Sequence, residues 1–130
     1  MSLAKNNIRY LEPGMLHDWL QTGVKVQVLD VRDYDYNEGG HIRGAINYGY
    51  RDFQSQLPII ASKELEDPSS NVFVFHCMRS QQRGPRCALR FKKYVEEHYS
   101  DYNVVVYVLR GGYINWYNLF SDSPLTEEGQ

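Results

Sequence analysis

Short apolar runs alternate along the chain with longer segments in which apolar residues recur at helical spacing. The runs at residues 24–31, 72–75 and 104–109 are typical of buried strands, and residues 8–11 predict a shorter one. Strands that are separated by helices usually pair in parallel within one sheet. The pattern therefore predicts an α/β fold with a largely parallel central sheet and helices on both of its faces.

Helical periodicity is clearest in two segments. The stripe after Pro13 consists of Met15, Leu16, Trp19 and Leu20. The stripe after Gly84 consists of Ala88, Phe91, Val95 and Tyr99. Residues 51–66 show a weaker helical pattern that Pro58 interrupts, since proline tends to begin or break a helix. A final helix is expected around residues 114–120.

The length of 130 residues fits one globular domain, and no repeat or linker divides the chain. We expect a single domain over residues 1–130, with its core at about residues 8–120 and a polar tail at residues 121–130. The formal net charge of -2 and the pI near 6.1 argue against a nucleic-acid-binding surface.

The apolar runs are far shorter than the roughly 20 residues that a membrane helix needs, and the N-terminus lacks the pattern of a signal peptide. We therefore expect no membrane association and an intracellular protein. The expected compartment is the cytoplasm, with the nucleus left open as a second one.

The chain has two cysteines, Cys77 and Cys87, which are too few for a disulfide framework or a four-thiolate zinc site. Cys87 falls one turn into a predicted helix beside its core stripe, which favours a packed thiol. A resolving disulfide partner for oxidised Cys77 is the alternative for Cys87. No metal or cofactor is expected.

Cys77 follows the apolar run at residues 72–75 and precedes the helix that starts near Gly84. Ligands of open parallel sheets bind beyond the carboxyl ends of the strands, which is where this residue falls. The intervening loop can direct successive backbone N–H groups inward, and the helix N-terminus adds partial positive charge. Both effects favour a bound oxyanion and the thiolate form of Cys77. A buried structural cysteine is the alternative, but this context favours a catalytic nucleophile.

Arg83 ends the same loop, and its planar guanidinium can make two parallel hydrogen bonds to an oxyanion. We expect Cys77 and Arg83 to be the catalytic residues. The loop residues expected to bind substrate are Met78, Arg79, Ser80, Gln81, Gln82 and Arg83. Arg79 is expected to point to solvent and to favour anionic substrates.

Three motifs in this order resemble the rhodanese superfamily, in particular its cell-cycle dual-specificity phosphatases and eukaryotic arsenate reductases. They are VLDVRDYDYNEGGHIRGAIN, HCMRSQQRGP and VLRGGYINWY, and they span about residues 28–117. The loop is one residue longer than in typical sulfurtransferases of that superfamily, so the resemblance implies a phosphate-like substrate. It implies that Cys77 forms a phosphocysteine, that Arg83 and the loop amides hold the oxygens, and that water completes hydrolysis.

The resemblance also implies supporting roles for Asp30, Arg32 and His76. Asp30 and Arg32 match the Asp-x-Arg sequence of the first motif and are expected to support the loop by hydrogen bonds or an ion pair. His76 is expected to pack beneath the loop and to help favour the thiolate. The related phosphatases tend to have a second cysteine where this chain has Val31, so a protective disulfide at that place is lost.

The proton donor to the leaving group is unassigned. The cell-cycle phosphatases often have a glutamate inside the loop, whereas this loop contains no carboxylate. The candidates in the first motif are Asp33, Asp35 and Glu38, although most surface carboxylates are simply solvated.

The leading hypothesis is a protein phosphatase for phosphotyrosine or, more broadly, phosphoserine and phosphothreonine. Its partner is then a phosphoprotein or a small phosphoester. The alternative is an arsenate reductase that uses the same cysteine with glutathione and glutaredoxin, because arsenate and phosphate have nearly the same shape. A sulfur-carrying or purely binding rhodanese module is a third class, which the loop length and the intact Cys77 and Arg83 disfavour. The sequence does not predict the oligomeric state.

Overall fold

Five parallel strands form the central sheet of the computed structural model, which describes residues 8–128. Across the sheet the order is β1 (Arg9–Leu11), β6 (Val104–Leu109), β5 (Asn71–His76), β2 (Gln27–Asp30) and β4 (Ile46–Asn47). Every neighbouring pair in this order is parallel. The predicted parallel α/β sheet is confirmed, and β5, which leads into Cys77, lies at its centre.

Four helices of the described chain cover the two faces of the sheet. They are α1 (Pro13–Thr22), α2 (Tyr50–Glu64), α3 (Arg83–His98) and α4 (Gly112–Phe120). Successive residues of a strand face opposite sides, so Phe73 and Phe75 pack with α2 and α3 while Val74 packs with α1 and α4. The apolar character of the central strands follows from burial on both faces.

Helix α2 continues through Pro58, so the interruption predicted there is wrong. Pro58 lies on the exposed side of the helix, where water can reach the backbone carbonyl that the missing N–H leaves without its helical partner. The opposite side buries Phe53, Leu57, Ile60 and Ala61 in the core. Burial of this apolar face outweighs the cost of an internal proline.

A two-stranded antiparallel sheet lies beside the main one and joins β3 (His41–Ile42) to β7 (Thr126–Glu127). Strand β7 falls within the segment expected to be a polar tail. Trp116 of α4 donates a hydrogen bond from its indole nitrogen to the Thr126 hydroxyl at 2.8 Å, which ties this segment to the core. The ends of the predicted domain, residues 1–7 and 129–130, lie outside the described residues.

Candidate active site

Cys77 lies immediately after β5, where the chain turns from the centre of the sheet toward α3. Its side chain is almost wholly buried, with 3% of its surface exposed. It forms part of the wall of an open cleft of about 430 Å³ at the carboxyl end of the strands. The structure thus places the residue at the sheet edge that the sequence predicted.

Two backbone amides point at the Cys77 sulfur. The N–H groups of Ser80 and Gly84 each donate to Sγ, at a nitrogen–sulfur distance of 3.2 Å. Ser80 adopts a positive φ of 54°, which is uncommon for a residue with a side chain and turns the loop back over the sulfur. Amide donors of this kind stabilise negative charge, so the loop is suited to a thiolate and to an anion beside it.

The N-terminus of α4 binds the start of this loop through backbone hydrogen bonds. Tyr113 N–H donates to the Cys77 carbonyl at 2.9 Å, and Ile114 N–H donates to the Met78 carbonyl at 3.0 Å. Gly112 permits this approach, since a Cβ at that position would lie 2.6 Å from the Arg79 Cα. The two glycines are visible in the third sequence motif, but their contact with the loop after Cys77 could not be predicted from it.

The cleft is lined by residues from two segments of the chain, 34–38 and 77–83. The lining residues are Tyr34, Asp35, Glu38, Cys77, Met78, Arg79, Gln81, Gln82 and Arg83. Ser80 is the loop residue that does not line the cleft, because its side chain is buried. Its contribution is the backbone amide that it directs at the sulfur. Arg79 is exposed, in agreement with its expected orientation toward solvent.

Arg83 pairs with a carboxylate that the sequence listed only as a possible acid. Its Nη1 and Nη2 atoms donate to Oδ1 and Oδ2 of Asp35 at 2.9 Å and 2.8 Å. These hydrogen bonds hold the pKa of Asp35 below its usual range, and the carboxylate in turn raises the pKa of Arg83. Asp35 is therefore ionised near neutral pH.

The three candidate proton donors occupy different places. Asp33 does not line the cleft; its Oδ1 accepts the Arg51 N–H at 3.2 Å near the start of α2. Asp35 is held in its ionised form by Arg83, which makes it a poor acid near neutral pH. Glu38 is the other carboxylate that lines the cleft.

Asp30 and Arg32 form a completely buried ion pair, with 2.7 Å between Nη2 and Oδ2. Arg32 also donates to the carbonyls of Glu38 and Gly40, at 2.9 Å each. Its guanidinium lies 4.3 Å from the centre of the Tyr113 ring. The pair therefore supports the segment that carries Asp35 and Glu38, in addition to packing behind the catalytic loop through Tyr113.

His76 is fully buried beneath the loop, as expected. Its Nδ1 lies 3.1 Å from the Cys77 carbonyl oxygen, and its ring stacks on Tyr113. Burial lowers the pKa of His76 below its ordinary value, so the ring is neutral near pH 7. A neutral ring adds no positive charge near Cys77, and the expectation that His76 helps to favour the thiolate stays a prediction.

Cys87 is fully buried in α3 and belongs to the same apolar cluster as Cys77. Burial raises the pKa of its thiol to about 12, so it remains protonated at physiological pH. Both cysteines are free in the structure. These features agree with a packed thiol, and pairing with oxidised Cys77 stays a prediction.

Within residues 8–128 there is no group of three or more histidine, cysteine, aspartate or glutamate side chains arranged to hold a metal ion. None of the helices in the same range combines the length and apolar character required to cross a membrane.

A family model described as a rhodanese-like domain matches residues 12–119. The chain is 30% identical to the CDC25-like phosphatase YCH1 of Saccharomyces cerevisiae over 98% of its own length and 94% of that protein. It is also 29% identical to arsenate reductase 2.1 of Oryza sativa subsp. japonica, over 85% of this chain and 68% of that one.

A solved structure with a similar fold is Ygr203w, described as a yeast protein tyrosine phosphatase of the rhodanese family. It superimposes with a TM-score of 0.77 at 31% identity, over 92% of this chain and 91% of that structure. The similarity of fold therefore extends over most of both chains.

Proposed function

Because the chain belongs to the rhodanese-like domain family, we propose that it is a cysteine-dependent protein phosphatase of tyrosine or dual specificity. The observation that carries the proposal is the pair of amides on the Cys77 sulfur, in a loop that also bears Arg83 at the same cleft. Similarity to proteins described as phosphatases supports it over most of both chains.

In the proposed reaction the Cys77 thiolate attacks phosphorus, the bond to the ester oxygen breaks, and the leaving group takes up a proton. The loop amides and Arg83 hold the three remaining oxygens as their charge is redistributed. Water then attacks phosphorus, the sulfur–phosphorus bond breaks, and inorganic phosphate and the thiolate are released. This sequence of steps needs no metal or organic cofactor.

The proposed substrates are phosphoproteins or small phosphoesters. The cleft is open to solvent, and exposed Arg79 adds positive charge to its wall, which suits an anionic group on a larger molecule. We place these substrates in the cytoplasm, with the nucleus as a second compartment.

A second candidate function is arsenate reduction. Its support is the similarity to arsenate reductase 2.1, together with the near-equal size of arsenate and phosphate. In this reaction the Cys77 thiolate attacks arsenic and one arsenate oxygen leaves as water. Glutathione with glutaredoxin then supplies the two electrons that convert arsenic(V) to arsenic(III), and its thiols are oxidised to a disulfide. The same cleft and the same Arg83 would hold the oxyanion.

The proposed phosphatase activity is tested by hydrolysis of an aryl phosphate by the purified protein. Activity should be lost in Cys77→Ser, which removes the nucleophile, and should fall at least about 100-fold in Arg83→Ala, which removes transition-state hydrogen bonds. Cys87→Ser is the matched control, because it makes the same chemical change outside the cleft and should retain activity. Hydrolysis that survives Cys77→Ser would refute the mechanism.

The same preparation should be assayed for arsenate reduction with glutathione and glutaredoxin and for transfer of sulfur from thiosulfate to cyanide. Phosphate hydrolysis alone, or together with weaker arsenate reduction, supports the proposal. Arsenate reduction without hydrolysis supports the second candidate, and sulfur transfer alone rejects both.

A further inference from the structure

The guanidinium of Arg83 is already fixed in the cleft before any anion is bound. Asp35 accepts one hydrogen bond from each of its two terminal nitrogens, in the parallel arrangement typical of strong arginine–carboxylate pairs. The two residues are 48 positions apart in the chain and meet only because the 33–40 segment folds over the catalytic loop. The pair therefore depends on the tertiary structure.

The contact with Asp35 uses only one edge of the guanidinium. An arginine side chain has five N–H donors, and the bonds from Nη1 and Nη2 employ two of them. The edge formed by Nε and a terminal nitrogen is a second fork that can bind two oxygens of a tetrahedral anion. Arg83 can thus keep its contact with Asp35 while it binds an oxyanion.

Asp35 is itself held firmly. Its side chain is nearly buried, its Oδ1 accepts the Asp33 N–H at 3.2 Å, and its carbonyl accepts the Glu38 N–H. Arg32 fixes the next part of the segment through the Glu38 and Gly40 carbonyls. The carboxylate is therefore presented to Arg83 by a segment whose own conformation is fixed by the buried Asp30–Arg32 pair.

A free arginine side chain loses conformational entropy when it is immobilised. Arg83 is the first residue of α3, and its side chain is 23% exposed, so without a partner it could rotate into solvent. A partner that fixes the guanidinium in advance removes part of this cost from the binding of the anion.

We propose that Asp35 is a positioning residue that holds one edge of the Arg83 guanidinium so that its other edge faces the oxyanion bound beside Cys77. The inference rests on the proposed function, because it assigns Arg83 to oxyanion binding. Oxyanion binding by the loop then depends on a residue that lies outside it.

Binding of inorganic phosphate tests this proposal without requiring turnover. The dissociation constant is measured by calorimetry for the wild type, Asp35→Asn, Arg83→Ala and the double variant. Asp35→Asn should raise the dissociation constant about tenfold in the wild-type background and less than about twofold when Arg83 is already alanine. Equal changes in the two backgrounds, or no change in either, would show that Asp35 does not act through Arg83.

Tighter phosphate binding by Asp35→Asn would also overturn the proposal, since it would mean that Asp35 competes with the anion for Arg83. Asp33→Asn is the matched control, because it removes a charge from the same segment without touching the Arg83 guanidinium. Its dissociation constant should stay within about twofold of the wild type.

Asp35→Glu controls for poor folding of Asp35→Asn, because glutamate restores the carboxylate with one additional methylene. It should recover phosphate binding relative to Asp35→Asn, and failure to do so in a protein that melts like the wild type would contradict the proposal. If the dissociation constants of the four proteins change as expected but the wild type hydrolyses no phosphoester, the positioning role stands and the proposed phosphatase function fails.

Discussion

At the scale of single residues, the Cys77 sulfur accepts hydrogen bonds from two backbone amides, which are suited to stabilising a thiolate. The amides of Ser80 and Gly84 reach the sulfur, His76 is neutral, and the terminal nitrogens of Arg83 are bound to Asp35. The loop conformation is therefore the main determinant of reactivity at this site, because it aims the amides.

His76 makes the stability of the protein depend on pH. Its pKa in the folded state is lowered by burial, so between that value and about 6.5 the unfolded chain binds more protons than the folded one. Stability is then fully present above about pH 6.5 and is lost as the pH falls. We expect the Tm of the wild type to decrease between pH 8 and pH 5.

His76→Asn provides the comparison, because asparagine does not titrate and can still donate to the Cys77 carbonyl. It should be destabilised by about 2 kcal/mol at pH 8 through lost packing, and the gap in Tm should narrow toward pH 5. Thermal melts that run parallel for the two proteins across this range would exclude His76 as the source of the pH dependence.

The residues of the site could be predicted from sequence to different extents. The positions of Cys77 and Arg83 at the cleft can be predicted because the strand, the loop and the helix that place them are contiguous in the chain. The sequence does not distinguish Asp35 from the two other candidate proton donors. Its contact with Arg83 depends on the hydrogen bonds by which Arg32 fixes the 33–40 segment. Hydrogen bonds to backbone carbonyls of this kind leave no pattern in the sequence.

At the scale of elements, the N-terminus of α4 supports the loop after Cys77, although none of its side chains is proposed to react. Its first amides bind the Cys77 and Met78 carbonyls, and Gly112 allows the two backbones to meet. Gly112 also has a positive φ of 69°, which residues with a Cβ rarely adopt.

Gly112→Ala should therefore displace the catalytic loop. We expect a loss of about 2–4 kcal/mol in the free energy of unfolding and at least about a tenfold decrease in kcat/KM for an aryl phosphate. Denaturant unfolding and steady-state kinetics measure the two effects.

Gly14→Ala is the matched control, since a Cβ at this helical position meets no atom within 4 Å. Alanine there should leave activity unchanged and raise stability by about 0.5–1 kcal/mol. A Gly112→Ala protein that is as stable and as active as Gly14→Ala would disprove the close contact between α4 and the loop.

Helix α2 and three two-residue strands, β3, β4 and β7, differ from the sequence-based prediction for physical reasons. Helix α2 passes through Pro58 because the buried side of the helix stabilises it more than one missing hydrogen bond costs. Strands β3, β4 and β7 are not predicted from sequence, because two residues each give too short a pattern and their pairings are long-range contacts.

At the scale of the whole molecule, the order of strands places β5 at the centre of the sheet and therefore sets Cys77 in the middle of its carboxyl edge. The two apolar cores on either side of the sheet keep this edge rigid, since alternate residues of the same strands anchor both. This architecture could be predicted because its signal, short apolar runs between helical stripes, is local in sequence. The cleft could not be predicted, because it forms between two loops that are distant in the sequence.

The central claim is that Cys77 attacks phosphorus, and its most direct test is detection of the covalent intermediate. The protein is mixed rapidly with an aryl phosphate, quenched in denaturant and analysed by mass spectrometry of its peptides. The account predicts one phosphoryl group on the peptide that contains Cys77 and none on Cys77→Ser. Hydrolysis with no phosphorylated Cys77 at any quench time, or with the phosphoryl group on another residue, would contradict it.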